Sequence, residues 1–198
     1  MIEPFIQVLR TYFTSHPFTD ERLSDNQLYA YDSKADQCTF MTADEGKKDD
    51  SLCIDNPNGI TVAHVCIDGG IVEYGLEKYQ GDGLVHERCD CMVFTDTVLR
   101  FVEFKMDATS TADKSVWRNC SDAMRAIRDF VTYMYRVFQQ HNDDFKSYYP
   151  LHTASAIVCI KQQPGMHPKR NTQRLTEKDK FTAATNLKVD FTTTCAMQ

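Results

Sequence analysis

His86-Glu87-Arg88-Cys89-Asp90-Cys91-Met92-Val93-Phe94 and Leu99-Arg100-Phe101-Val102-Glu103-Phe104-Lys105 are two apolar, strand-like runs separated by Thr95, Asp96, Thr97 and Val98. So short a connection predicts a tight antiparallel hairpin. With the turn centred between Asp96 and Thr97, residues whose numbers sum to 193 face each other, and Asp90 lies opposite Glu103. Directly opposed residues hold their Cβ atoms roughly 4.5–5.5 Å apart. Lys105 follows Glu103 by two positions, so strand alternation puts it on the same face. Two carboxylates and an ammonium on one patch of sheet can hold a divalent ion beside a polarised water.

Working outward, Ile60 to Asp68 reads as a strand, and Gly69-Gly70 as a turn into Ile71-Val72-Glu73-Tyr74. Gln80-Gly81-Asp82-Gly83 makes a further break before the Asp90 strand. Downstream, Val116, Cys120, Met124, Ile127, Val131, Met134 and Phe138 step by four or three, the stripe of a long amphipathic helix. Arg118, Arg125 and Arg136 fall on its other side, either as a phosphate-facing row or as a solvated face. On the second reading Arg118 pairs with Asp122 and Arg125 with Asp129. Ala154 to Ile160 reads as a buried central strand, followed by a basic loop from Lys161 to Arg174. A last helix is expected to start near Thr176, and a final strand to span Leu187 to Thr194.

Ile2 to Phe13 has helical spacing, with Phe5, Ile6, Leu9 and Phe13 on one side. Thr19-Asp20-Glu21 is expected to cap a second short helix reaching Tyr29. Asp32 to Asn58 reads as a polar exposed loop. This divides the chain into 1–58, N-terminal helices and an acidic loop packed on or inserted in the core, and 59–198, the core domain.

Charge is uneven. Residues 1–55 carry eleven acids and five bases, whereas residues 161–198 carry three acids and seven bases, within a net charge of −6. That total argues against a protein that coats nucleic acid nonspecifically, but not against an enzyme with one local basic face. No apolar run approaches the roughly 20 residues of a membrane span, and the N-terminus lacks the pattern of a secretion signal. The expected location is cytoplasmic. The eight cysteines include no Cys-x2-Cys pair, and they are expected to be buried free thiols.

The spacing from Asp90 to Glu103-x-Lys105 resembles that of the PD-(D/E)XK nuclease superfamily, and so does the element order over residues 60–195. Arg88-Cys89-Asp90 with Phe101-Val102-Glu103-Phe104-Lys105 is similar to the signature of small bacterial proteins of that superfamily. The resemblance implies an α/β (α+β) fold: a restriction-endonuclease-like mixed central sheet flanked by helices, with an N-terminal helical segment. It implies Asp90 and Glu103 as ligands of Mg2+ or Mn2+, with the Phe104 carbonyl as a further donor. Lys105 would orient or deprotonate the attacking water and offset charge on the phosphorane. Lys161, Lys169, Arg170 and Arg174 would meet the substrate backbone.

Three features depart from the family pattern. Cys89 stands where the family usually has proline. The upstream acid is open among Glu3, Glu21, Asp68 and Glu73, and Lys114, Arg118 and Asn119 are the nearest polar choices at the start of the long helix.

The function so implied is a metal-dependent nuclease, or nuclease subunit, acting on DNA or RNA, with bacterial genome defence as its setting. The competing reading is an inactive protein of the same fold that docks on a basic partner as an accessory, inhibitor or antitoxin-like subunit. A homo-oligomer is compatible with either. A third reading, a small-molecule hydrolase or a redox protein built on Cys89 and Cys91, has no other support in the sequence.

Overall fold

A computed structural model describes residues 1–12, 20–33, 37–45, 50–67, 89–106, 113–150, 152–161 and 168–198. Within them the chain is mixed α+β. It runs as α1 (Ile2–Tyr12), β1 (Asp20–Leu23), β2 (Gln27–Ser33), β3 (Gln37–Thr42), β4 (Ser51–Asp55), β5 (Val62–Cys66), β6 (Cys91–Phe94) and β7 (Leu99–Phe104). There follow α2 (Asp113–Gln140), α3 (Phe145–Tyr148), β8 (Ala154–Cys159), α4 (Pro168–Thr185), β9 (Lys188–Phe191) and β10 (Thr194–Ala196).

Two mixed sheets carry the described strands. One has the order β1-β5-β6-β7-β8-β9, the other β10-β4-β2-β3. In the larger sheet β1, β5, β6 and β7 pair antiparallel, while β7, β8 and β9 run parallel. The switch to parallel pairing follows from α2, because a parallel neighbour needs a long crossover.

The larger sheet is buried on both faces. Ala63, Val65, Met92, Phe94, Leu99, Phe101, Ala156 and Val158 pack with α1 and α2. The alternate residues Val62, Val93, Val102 and Ile157 pack against Leu28, Ala30, Phe40, Leu52 and Ile54 of the smaller sheet. The stripe on α2 faces the first of these cores, with Cys120, Met124, Ile127, Val131, Met134 and Phe138 all buried. The side chain of Val116 lies outside the described residues.

The β6–β7 hairpin is fastened at its turn. Thr95 Oγ1 accepts from the N–H groups of Thr97 (3.2 Å) and Val98 (3.1 Å), a local side-chain turn of the kind threonine supports. Tyr149 donates its hydroxyl to the Thr95 carbonyl at 2.6 Å. Phe5 meets Tyr149 edge-on at 5.0 Å and Phe94 at 5.4 Å, which seats α1 over the same end of the sheet.

Several expected elements take another form. The helix expected from Thr19 to Tyr29 is replaced by β1 and the start of β2; Leu28 and Ala30 alternate inward, and β2 pairs on both sides. The loop expected over Asp32–Asn58 contains β3 and β4, whose short apolar runs around Phe40 and Leu52 sit between acids that conceal them in the sequence. Among the described residues, 1–58 therefore contribute α1 and strands β1 to β4 to the packed structure.

The basic stretch is a loop only in part, since α4 starts at Pro168 rather than near Thr176. Proline suits the first helical turn because it has no N–H to leave unsatisfied there. The final strand is broken at Thr192, whose Oγ1 accepts from Thr194 N–H at 3.0 Å, and the chain then crosses to the smaller sheet as β10. The Gly69-Gly70 hairpin, the 80–83 break, Asp68, Glu73 and Arg88 lie outside the described residues.

Candidate functional site

The β6–β7 register is the one expected from the turn. Cys91 faces Val102, Met92 faces Phe101, Val93 faces Arg100 and Phe94 faces Leu99. Asp90 sits in a bend just before β6 and joins three strands. Its N–H donates to the Val102 carbonyl at 2.9 Å, and its own carbonyl accepts from Ile67 N–H at 2.9 Å. Its side chain turns toward β7, where Oδ2 accepts from Phe104 N–H at 2.5 Å. A carboxylate held this way has one oxygen committed to the backbone and a fixed direction for the rest.

Glu103 is the next residue on the helix-facing side of β7 after Leu99 and Phe101. It is 4% exposed and Asp90 is 8% exposed, so the sheet end presents two carboxylates almost withdrawn from water. Withdrawing charged groups is costly unless they are paired. Lys105 provides that pairing, with Nζ 2.6 Å from Glu103 Oε1. Glu103 Oε2 is buried and makes no hydrogen bond among the described residues. The Lys105 N–H donates to the Cys159 carbonyl at 2.8 Å, so the parallel β8 strand fixes the backbone that carries the ammonium.

Burial works against the Lys105 charge. The carboxylate of Glu103, and beyond it those of Asp90 and Asp122, outweigh burial and hold the lysine above its ordinary pKa. Asp122 lies on the part of α2 that overlooks this end of the sheet. Arg125 reaches it at 3.1 Å and Arg118 at 3.9 Å. Sequence reasoning treated Asp122 only as an ion-pair partner of Arg118. The cue it offered was an acid with arginines four residues before and three after, on a helix expected to cover the hairpin. Asp129 bonds its neighbour Arg128 at 2.8 Å.

The other candidate residues fall elsewhere. Lys161 is exposed just beyond β8 and is paired with Asp50, ahead of β4 on the side of the smaller sheet. Lys169, Arg170 and Arg174 are on the first turns of α4, and their side chains lie outside the described residues. Glu3 bonds Arg22 at 2.7 Å, and Arg22 lies in the register row of Ala63, Phe94 and Leu99, near the hairpin turn and away from Glu103. Glu21, on β1 rather than a helix, faces His64 Nδ1 at 3.4 Å, and the bond from His64 draws its pKa below the ordinary carboxylate value. Cys89 and Cys91, two positions apart, enter different cores because Cys89 precedes the strand.

The donor set suits a hard divalent cation. Glu103 on β7 and Asp90 just before β6 both act on the Lys105 ammonium, and Mg2+ commonly takes one or two protein carboxylates while keeping waters and substrate phosphate as its other ligands. Among the described residues no group of three or more His, Cys, Asp or Glu side chains is placed to hold a metal. Asp90 and Glu103 are the two carboxylates here that could hold such an ion.

The fold and site define a mixed α+β protein with a buried two-carboxylate, one-lysine cluster. No family model, curated protein or solved structure matches the chain. No helix among the described residues is long and apolar enough to cross a membrane.

Proposed function

We propose that the chain is a metal-dependent phosphodiesterase of the PD-(D/E)XK type, acting on nucleic acid. The observation that carries this reading is the juxtaposition of Asp90 and Glu103, both buried, with Lys105 Nζ 2.6 Å from Glu103. Element order supports it. An antiparallel hairpin bears the acids, a long helix covers their face, and a strand parallel to β7 follows. A restriction-endonuclease-like core, which the sequence motif implies, would have its elements in this order.

A bound Mg2+ or Mn2+ would supply Lewis-acid stabilisation of the phosphate and a more acidic water. The chain's own residues do the rest. Asp90, fixed by Phe104 N–H, and Glu103, fixed by Lys105, present oxygens whose directions are set before an ion or substrate arrives. Such preorganisation avoids reorganisation cost during the reaction. The Lys105 ammonium places positive charge beside the site where a phosphorane would become more anionic. Its hydrogen bond can pass from Glu103 to the attacking water or a phosphate oxygen. The surrounding apolar residues strengthen each of these interactions by excluding water.

A second reading, a protein of this fold that docks on a basic partner without cutting, draws on the acidic N-terminal segment with its eleven acids and five bases over residues 1–55. One assay separates the two. Single- and double-stranded DNA and RNA are incubated with Mg2+ or Mn2+ and wild type, Glu103→Gln or Lys105→Met, with circular dichroism verifying each fold. The nuclease reading expects metal-dependent cleavage that falls at least about 100-fold in each variant, the lower range for a positioned acid–base or charge-stabilising group. Cleavage unaffected by either substitution would reject the assignment of the site. Absence of cleavage by wild type on all four substrates would favour the docking reading.

A further inference from the structure

The smaller sheet meets the larger one through a cluster of sulfur atoms that the proposed phosphodiesterase chemistry does not use. Cys38 lies on β3 of the smaller sheet, while Cys66 ends β5 and pairs in register with Cys91 of β6 in the larger one. The Cys38 N–H donates to Cys66 Sγ at 3.2 Å. The Cys66 and Cys91 sulfurs lie near enough to the Cys38 thiol to help push its pKa up. All three cysteines are free, and Cys66 is partly exposed while Cys38 and Cys91 are buried.

We propose that Cys38 and Cys66 form a modification site at which a small hydroperoxide installs a reversible disulfide, stapling the two sheets together. The roles of the two sulfurs follow from their surroundings. Cys66 accepts an N–H hydrogen bond, which favours negative charge on its sulfur, and it is the member of the cluster that solvent reaches. Cys38 keeps its proton, because the nearby Cys66 and Cys91 sulfurs, together with burial, push its pKa up.

The Cys66 thiolate attacks one peroxide oxygen, forming an S–O bond as the O–O bond breaks. The product is a sulfenic acid, and the departing oxygen leaves as water or alcohol after taking a proton. The Cys38 sulfur then attacks Cys66 sulfur. The S–S bond forms, the S–O bond breaks, and hydroxide leaves as water with the Cys38 thiol proton. Two thiols lose two electrons between them, and the hydroperoxide accepts both. The 3.2 Å approach of the Cys38 backbone to Cys66 Sγ keeps the second cysteine at hand and favours this step over further oxidation. The staple would lie next to Ile67, whose N–H holds the Asp90 carbonyl at 2.9 Å.

The test treats the native full chain with a few equivalents of hydrogen peroxide, blocks remaining thiols by alkylation, and maps peptides by mass spectrometry without reduction. The expected result is loss of two thiols per chain, a cross-linked peptide joining Cys38 to Cys66, and full reversal by dithiothreitol. Cys38→Ser should leave Cys66 as a sulfenic acid trapped by dimedone, and Cys66→Ser should form no disulfide at Cys38. A Cys66–Cys91 or Cys53–Cys195 bond, accumulation of Cys66 sulfinic acid in the wild type, or no thiol loss would overturn the proposal. The wild-type map decides the matter even where a variant fails to fold.

Discussion

Lys105 and Glu103 illustrate how much one residue contributes by being removed from water. Replacing Glu103 by Ala would leave an ammonium beside the Asp90 carboxylate, so Glu103→Gln is the better probe of chemistry. Asp90 has a structural duty as well, because Oδ2 accepts Phe104 N–H at 2.5 Å. Asp90→Ala strands that buried donor and should cost about 1–3 kcal/mol in urea unfolding. Asp90→Asn, which can still accept, should retain most of that stability while losing metal affinity.

Asp143 gives a pH test at the same scale. It accepts hydroxyl hydrogen bonds from Tyr12 (2.7 Å) and Tyr148 (3.0 Å), and the Tyr12 bond is the chief reason its pKa is lowered. A carboxyl with a depressed folded-state pKa contributes stability above its unfolded value and loses it as pH falls through the folded one. Asp143→Asn should therefore flatten the acid side of the stability profile by lowering stability at neutral pH and converging on the wild type at low pH, as thermal melts across the carboxylate range will show.

Among the elements, the hairpin and the long helix were legible in the sequence for physical reasons. A connection of four residues between apolar runs leaves little freedom in register, and Cys91 indeed faces Val102. The stripe from Cys120 to Phe138 has one period and one buried face. Strands β2, β3 and β4 were not legible. Their apolar runs are short, their neighbours are acidic, and they gain stability from pairing with distant segments, as when Cys195 meets Ile54 across β10 and β4.

At the site, Glu103 and Lys105 were legible from strand alternation on β7, and Asp90 from the short hairpin, although it sits in a bend before β6 with its N–H on the Val102 carbonyl. Asp122 was not, since its approach depends on how α2 lies over the sheet. Two substitutions test the element account. Ile127→Ala, within the α2 stripe, should cost about 2–5 kcal/mol through the cavity it leaves. Thr95→Ala removes the acceptor for Thr97 and Val98 N–H groups, and should cost about 1–3 kcal/mol in the same measurement.

Across the whole molecule, the larger sheet divides two apolar cores and belongs to both. Val93 and Val102 need the smaller sheet to cover them, and that sheet contains β2, β3 and β4 from the N-terminal segment and β10 from the C-terminal one. Residues 59–198 expressed alone should therefore expose the Val62–Val93–Val102 face and fail to give a cooperative melt, whereas residues 1–198 should unfold in one transition. Two overlapping calorimetric transitions in the full chain would contradict this.

The central claim is that Asp90 and Glu103 together hold a divalent ion beside Lys105. Titration of the full chain with Mn2+ by isothermal calorimetry, alongside Asp90→Asn and Glu103→Gln, tests it most directly. Saturable binding is expected in the wild type, weakened at least about tenfold by either substitution, the smaller effect expected even for residues that only support a metal ligand. Binding of equal strength in all three proteins, or none in the wild type, would contradict it.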